Sequence, residues 1–222
     1  MSATTKTRKL DPSVTDLENF SREIFGMELY PWQRKSMQGI TGKGGRSKVA
    51  VRAANGSGKT THLAAPAALW HALIYPNSIT ITTSGVYRQV KEQMWPCIRS
   101  LAGKVKGWGI QVNQTDLVTS AGSRIIGFST DDPGRFEGWH ADNLMIIIDE
   151  AKTVSDGIFE AVARCQPTRQ LVISSPGGTS GEFWRIFNKQ QHLWDLHKVT
   201  SYDCPHISEA WIEEQFDRWG KD

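Results

Sequence analysis

The stretch Ala53-Ala-Asn-Gly-Ser-Gly-Lys-Thr60 decides how this chain is read. Gly56 and Gly58 let the backbone curl until its N–H groups face inward on an anion. Lys59 adds a side-chain cation that reaches the β- and γ-phosphates of a nucleotide. Thr60 adds a hydroxyl that ligates Mg²⁺. The string follows the phosphate-loop pattern with one departure, since Ala53 stands where the first glycine usually is. That chemistry needs a strand before the loop and a helix after it. Lys48–Ala53 reads as a short strand, and Lys59–Ala72 as a helix that Pro66 should kink. The helix N-terminus after Gly58 contributes further positive potential. The expected nucleotide-binding residues are therefore Asn55, Gly56, Ser57, Gly58, Lys59 and Thr60. The alternative is an ordinary Gly-rich turn, and the strand–turn–helix context weighs against it.

A second string, Leu144-Met-Ile-Ile-Ile-Asp-Glu150, lies downstream. Its unbroken apolar run marks a strand buried on both faces. Such a strand delivers Asp149 and Glu150 to the C-terminal edge of a sheet, where a phosphate loop also sits. Asp149 is expected to hold Mg²⁺, directly or through water. Glu150 is expected to act as general base on the attacking water. Taken alone, the pair also fits a strand ending in two acidic turn residues.

The remaining periodicity sets the architecture. Leu17, Phe20, Ile24 and Phe25 share one helical face that Gly26 ends, and Pro31 opens a second helix to about Ile40. Gly42, Gly44 and Gly45 mark a loop. Ser78–Thr83 reads as a strand and Tyr87–Leu101 as a helix interrupted at Pro96. Leu117–Thr119 and Arg124–Phe128 read as a hairpin, and Asp131–Asp142 as a polar loop. Helices at Ser155–Cys165 and Gly181–Asn188 alternate with strands at Gln170–Ser174 and Trp194–Val199. A last helix begins near Ser208 and aligns Ile212, Phe216 and Trp219. Strands alternating with helices predict an α/β fold with a mainly parallel, doubly wound sheet. Residues 1–13 read as a tail and 14–222 as one domain.

Composition narrows the function classes. Hydrophobic residues at 39% suffice for a normal core, and no apolar run is long enough to span a membrane. Cys97, Cys165 and Cys204 are odd in number and far apart, which argues against a disulfide framework or metal cluster. The net charge of +3 permits nucleic-acid contact without demanding it. Basic clusters at Lys6/Arg8/Lys9, Lys43/Arg46/Lys48 and Lys104/Lys106 read first as solvated surface.

Two weaker signals remain. In Tyr30-Pro-Trp-Gln33, the Gln33 amide could donate to and accept from an adenine edge at once, which would favour ATP. The alternative is a surface Gln at a helix start. In Ser174-Ser-Pro176, the hydroxyls of Ser174 and Ser175 could sense the γ-phosphate and relay its loss. The alternative is a plain strand-to-turn transition.

Together these strings resemble the ATPase motor domain of the large terminase subunit of tailed phages. The resemblance also rests on Ser84-Gly-Val-Tyr-Arg-Gln-Val90, Gly138-Trp-His-Ala-Asp142, Ile148-Asp-Glu-Ala151 and Ser174-Ser-Pro-Gly-Gly178 with Gly181-Glu-Phe-Trp184, and spans about residues 28–220. It implies a RecA-like, additional-strand P-loop NTPase fold, with Mg-ATP hydrolysis driving double-stranded DNA into a capsid. It implies a homo-oligomeric ring docked on a portal protein, a small terminase subunit as partner, and a place in the host cytoplasm. It also implies a C-terminal nuclease domain of the RNase H type. These 222 residues do not contain that domain, so no DNA cleavage is expected of them. The rival readings are a helicase-like DNA-dependent ATPase and a non-catalytic nucleotide-binding assembly module.

Phosphoryl transfer develops charge that an arginine can stabilise from a neighbouring subunit. Many members of the resembled family carry an Arg inside the phosphate loop. Here Gly56 occupies that region and the nearest Arg is Arg52. Many also have an Arg-Gly pair where this chain has Glu137-Gly138. The first candidate is Arg135, in the Gly/Pro-containing loop Asp131-Asp-Pro-Gly-Arg-Phe136, and Arg124 is the second. The alternative for Arg135 is a surface salt bridge.

Overall fold

The computed structural model describes residues 14–42, 47–105 and 107–220. The expected tail at 1–13, the basic residues Lys43, Arg46 and Lys106, the Gly44-Gly45 loop and the Trp219 side chain lie outside what is described. The strands are β1 (Ser47–Ala53), β2 (Ile79–Ser84), β3 (Ile110–Val112), β4 (Asp116–Thr119), β5 (Arg124–Gly127), β6 (Leu144–Asp149), β7 (Arg169–Ser174) and β8 (Asp195–Val199). The helices are α1 (Leu17–Glu23), α2 (Pro31–Thr41), α3 (Ala65–Ile74), α4 (Tyr87–Gln89), α5 (Trp95–Lys104), α6 (Asp156–Arg164), α7 (Glu182–Asn188) and α8 (Glu209–Trp219).

Among the described residues the strands form one sheet in the order β3-β4-β5-β2-β6-β7-β1-β8. From β5 to β8 every neighbouring pair is parallel. The pairs β3–β4 and β4–β5 are antiparallel, so the expected mainly parallel α/β sheet holds. One strand, β7, lies between β1, which feeds the phosphate loop, and β6, which carries Asp149. The expected hairpin is present as β4 and β5. It gains β3 as a third strand that the sequence reading missed.

Side-chain alternation along β6 builds both layers of the core. Met145 and Ile147 join the layer of α1, α2, α3 and α5, while Leu144, Ile146 and Ile148 join that of α6 and α7. Ile146, Ile147 and Ile148 are fully buried, each contributing about 1.5–3 kcal/mol of apolar burial. This two-sided cover explains why the run carries no polar residue before Asp149.

The two helical prolines act through local geometry. A proline lacks an N–H, and its ring crowds the carbonyl four residues back. The chain widens into a π-turn just before each one, at Thr60–Ala64 and Val90–Met94. There the Ala65 N–H donates to the Thr60 carbonyl and the Trp95 N–H to the Val90 carbonyl, five residues back. The kink expected at Pro66 is thus a π-turn directly behind the phosphate loop. The polar loop after β5 also has internal structure. A 3₁₀ turn at Pro133–Phe136 buries Phe136, which packs with Phe128. On α8, capped by Ser208, Ile212 is buried and Phe216 stacks on Tyr202. No described helix is long and apolar enough to cross a membrane.

Candidate active site

Because β1, β6 and β7 run parallel, their C-terminal ends meet at one edge of the sheet. Ala53 closes β1 as a fully buried core residue, so a side chain is accommodated where the pattern expects glycine. The loop then needs glycine twice. Gly56 has φ +74° and Gly58 φ +85°, the left-handed region that side chains disfavour. Asn55 and Gly56 are exposed, whereas Ser57 is fully buried.

Register places Ser174 opposite Arg52, at the mouth of the phosphate loop, and Asp149 opposite Ser84. The Thr60 hydroxyl donates to Asp149 Oδ2 at 3.0 Å. Lys59 Nζ stands 3.7 Å from Glu150 Oε1, with little of the lysine side chain exposed. Ser174 Oγ donates to Glu150 Oε2 at 3.4 Å and accepts from the Lys152 N–H at 3.3 Å. The sheet edge thus brings Lys59, Thr60, Asp149, Glu150 and Ser174 together. Ser175 is joined to the group by Lys152, whose ammonium donates to Ser175 Oγ at 2.6 Å. Lys152 was not singled out from sequence. Its only signal was a cation two residues after Glu150.

Electrostatically, Asp149 is the unsettled member. Burial pushes its carboxyl up to about 6, partly opposed by hydrogen bonds from Thr60 and the Glu150 N–H. No cation among the described residues forms a salt bridge with it. A buried carboxylate beside a hydroxyl is a hard-oxygen donor set, which fits Mg²⁺. Glu150 carries backbone strain, at φ +46° and ψ 44° in the left-handed region. For a residue with a Cβ this costs about 1–3 kcal/mol and persists only where neighbours hold it. Here the Glu150 N–H donates to Asp149 Oδ1 at 2.8 Å, and its carbonyl accepts from the Thr153 hydroxyl at 2.8 Å.

Gly85 closes this turn from the side of β2. A Cβ there would overlap the Thr153 hydroxyl and lie 2.9 Å from the Thr153 carbonyl oxygen. Gly85→Ala is therefore expected to destabilise the chain by about 1–3 kcal/mol, the usual cost of overpacking. Urea unfolding checks it, and an unchanged midpoint would show that the turn can yield.

Gln33 caps the start of α2. It is almost fully buried rather than a surface residue, and its Oε1 accepts the Tyr30 N–H at 2.9 Å. One lone pair of the amide oxygen is thus used in capping α2. The amino group and the second lone pair of that oxygen remain for a ligand. That amino group lies against Gly58, on a cavity of about 190 Å³ whose lining includes Tyr30, Ser57, Thr61, His62 and His206. His206, far along the chain, escaped the sequence reading. The His62 imidazole is held below its usual range by burial, with further effect from the charges of His206 and Lys104.

The arginines separate clearly. The Arg135 side chain is 76% exposed, and among the described residues its ion pair is with Asp132 at 3.8 Å. Arg124 begins β5 and pairs with Asp116 at 2.9 Å, at the sheet edge opposite the phosphate loop. Arg52 stacks over the Phe187 ring.

The family described as terminase large subunit, T4likevirus-type, N-terminal, matches residues 51–222. The chain belongs to the terminase large subunit family. No curated protein sequence matches this terminase chain. Among solved structures it resembles the large terminase of a thermophilic bacteriophage, with a TM-score of 0.68 and 14% identity over 86% of this chain and 50% of that one. It also resembles the large terminase ATPase domain of Thermus phage P74-26, with a TM-score of 0.65 and 19% identity over 88% and 90% of the two chains. The HK97 bacteriophage large terminase aligns at a TM-score of 0.60 and 14% identity, over 88% and 48%. This terminase chain therefore spans about half the length of the first and third. Complexes of the thermophilic phage protein with ADP and with ATP-γ-S have been solved.

Proposed function

We propose that this chain is the ATPase motor part of a genome-packaging terminase, using Mg-ATP hydrolysis to move double-stranded DNA into a capsid. The observation that carries this is the convergence of Lys59, Thr60, Asp149, Glu150 and Ser174 on one sheet edge. In this reading the loop from Asn55 to Thr60 cradles the phosphates and Lys59 neutralises their oxygens. Thr60 and Asp149 hold Mg²⁺, which when bound neutralises charge developing on the phosphates. Glu150 takes a proton from the attacking water. Ser174 and Ser175 report the γ-phosphate through their contacts with Glu150 and Lys152. Gln33 serves as a donor to the base.

The nucleotide complexes of the thermophilic phage terminase support this reading. Residues 14–222 act as the motor unit, following a tail at 1–13. A homo-oligomeric ring, a portal, a small terminase subunit and work at a capsid in the host cytoplasm complete the proposal. No nuclease chemistry is assigned to these residues, since Asp149 and Glu150 are committed to the nucleotide. The family match favours this reading over the helicase-like one.

Steady-state phosphate release, with and without DNA, tests the activity itself. Release no faster than buffer in either condition would leave only a nucleotide-binding assembly module. Lys59→Ala should weaken Mg-ATP binding by about 1.5–3 kcal/mol, roughly ten- to a hundredfold, the worth of hydrogen bonds to a charged group. Unchanged affinity in calorimetry, for a variant with wild-type melting behaviour, would move the phosphate site elsewhere.

A further inference from the structure

The segment after β8 returns to the phosphate loop. The Ala54 N–H donates to the Val199 carbonyl at 3.0 Å, and a 3₁₀ turn at Ser201–Asp203 then carries the chain to His206. His206 is exposed, yet both of its ring nitrogens are engaged. Nε2 lies 2.9 Å from the Gly56 carbonyl oxygen, and Nδ1 lies 2.9 Å from Tyr30 Oη. The ring stacks on Tyr30 with planes 8° apart. A carbonyl oxygen only accepts, so Nε2 carries the hydrogen. In the neutral ring Nδ1 then accepts from the tyrosine hydroxyl. One side chain thus joins the positive-φ glycine of the phosphate loop to the residue that opens α2.

A small cavity lies beside it. At about 190 Å³ the cavity is smaller than the roughly 300 Å³ or more of a drug-sized ligand site. It adjoins the phosphate loop through Ser57 and Gly58. The Ser57 hydroxyl is fully buried there and has no hydrogen-bond partner among the described residues. The stacked Tyr30–His206 pair and the Gln33 amino group border the same space.

We infer that His206 is a positioning residue of the nucleotide site, clipping the Gly56 carbonyl to Tyr30 so that the phosphate loop and the base pocket are held as one unit. This rests on the nucleotide-binding reading above and extends it to a residue outside the usual motifs. Free of the clip, Gly56 can rotate its peptide, and the inward N–H groups lose part of their preorganisation. The cost falls on phosphate binding itself, not only on contacts with the base.

Two probes separate these effects: Mg-ATP, and inorganic tripolyphosphate with Mg²⁺, which has no base. Both are titrated into the wild-type chain and into His206→Ala, His206→Gln and Tyr30→Phe. His206→Ala should weaken both probes about fivefold, the worth of one lost hydrogen bond. His206→Gln, whose amide nitrogen can still donate to Gly56, should recover most of that loss for both. Tyr30→Phe keeps the ring and loses only the hydroxyl, so it should weaken both probes by a smaller factor. Loss confined to ATP would make His206 a wall of the base pocket and overturn the clip. Unchanged binding of both probes in His206→Ala would also overturn it, as would failure of His206→Gln to recover. If the wild-type chain binds neither probe, the nucleotide-binding reading falls first and the clip with it.

Discussion

Glu150→Gln is expected to leave Mg-ATP affinity close to wild type and to slow turnover at least ~100-fold, the low end of general-base effects. The two outcomes separate for a structural reason. The Glu150 carboxylate is held loosely, at 3.7 Å from Lys59 Nζ and 3.4 Å from Ser174 Oγ. Those long contacts leave its lone pairs able to engage a water. An amide preserves the shape and can still accept from Ser174, but it cannot take up a proton at neutral pH. Binding should not suffer, because the substitution removes a negative charge from beside the cation that meets the phosphates. The turn should survive as well, since its left-handed backbone is held by the Asp149 carboxylate and Thr153, not by the Glu150 side chain. Single-turnover phosphate release after ATP mixing, beside equilibrium binding, reads both quantities. Turnover within threefold of wild type would reassign the base. Lost affinity with unchanged single-turnover chemistry would make Glu150 a binding residue.

The parts of the site that could be read from sequence are those whose chemistry lies in contiguous residues. The phosphate loop carries its anion-binding geometry in two glycines and its cation in the next residue. The strand ending at Asp149 announces its burial by carrying no polar residue before its end. Their meeting at one edge then follows from parallel strands alone. What stayed hidden depends on contacts between distant segments or on small choices of rotamer. Nothing local to His206 tells that it touches Gly56. Gln33 was visible as an amide at a helix start. That its oxygen accepts the Tyr30 N–H depends on a side-chain rotamer. β3 spans only Ile110–Val112, with Gln111 and Val112 exposed and Gly107 and Gly109 just before it, too short for alternation to register. Pro66 and Pro96 were visible as interruptions. The π-turns that absorb them lead straight into α3 and α5, which pack in one core layer.

In an assembled ring, Arg135→Ala is expected to lower ATP turnover by about 10³-fold or more, because an arginine supplied in trans accelerates phosphoryl transfer by roughly 10³–10⁵. Within one chain, the described residues place no arginine in the cluster around Lys59 and Glu150. Arg52 is occupied over Phe187, and Arg124 sits at the far edge of the sheet in an ion pair. Arg135 has the opposite character. Its 3₁₀ turn is anchored from below by fully buried Phe136, and Pro133 packs against Gly157 at the start of α6, near the edge that bears Glu150. The base of the turn is therefore fixed while the guanidinium is 76% exposed. Its 3.8 Å pairing with Asp132 is a surface contact worth little, so little is lost when the side chain reaches a neighbour. The isolated chain should accordingly be slow, and Arg135→Ala should barely change it. Complementation tests whether the arginine acts across subunits. Arg135→Ala and Glu150→Gln rings should each be inactive. Mixed rings contain interfaces where an intact Arg135 faces an intact Glu150, so partial activity should return and peak at intermediate mixing ratios. Wild-type turnover in pure Arg135→Ala rings, or no recovery in rings shown by mass measurement to be mixed, would remove Arg135 from the mechanism.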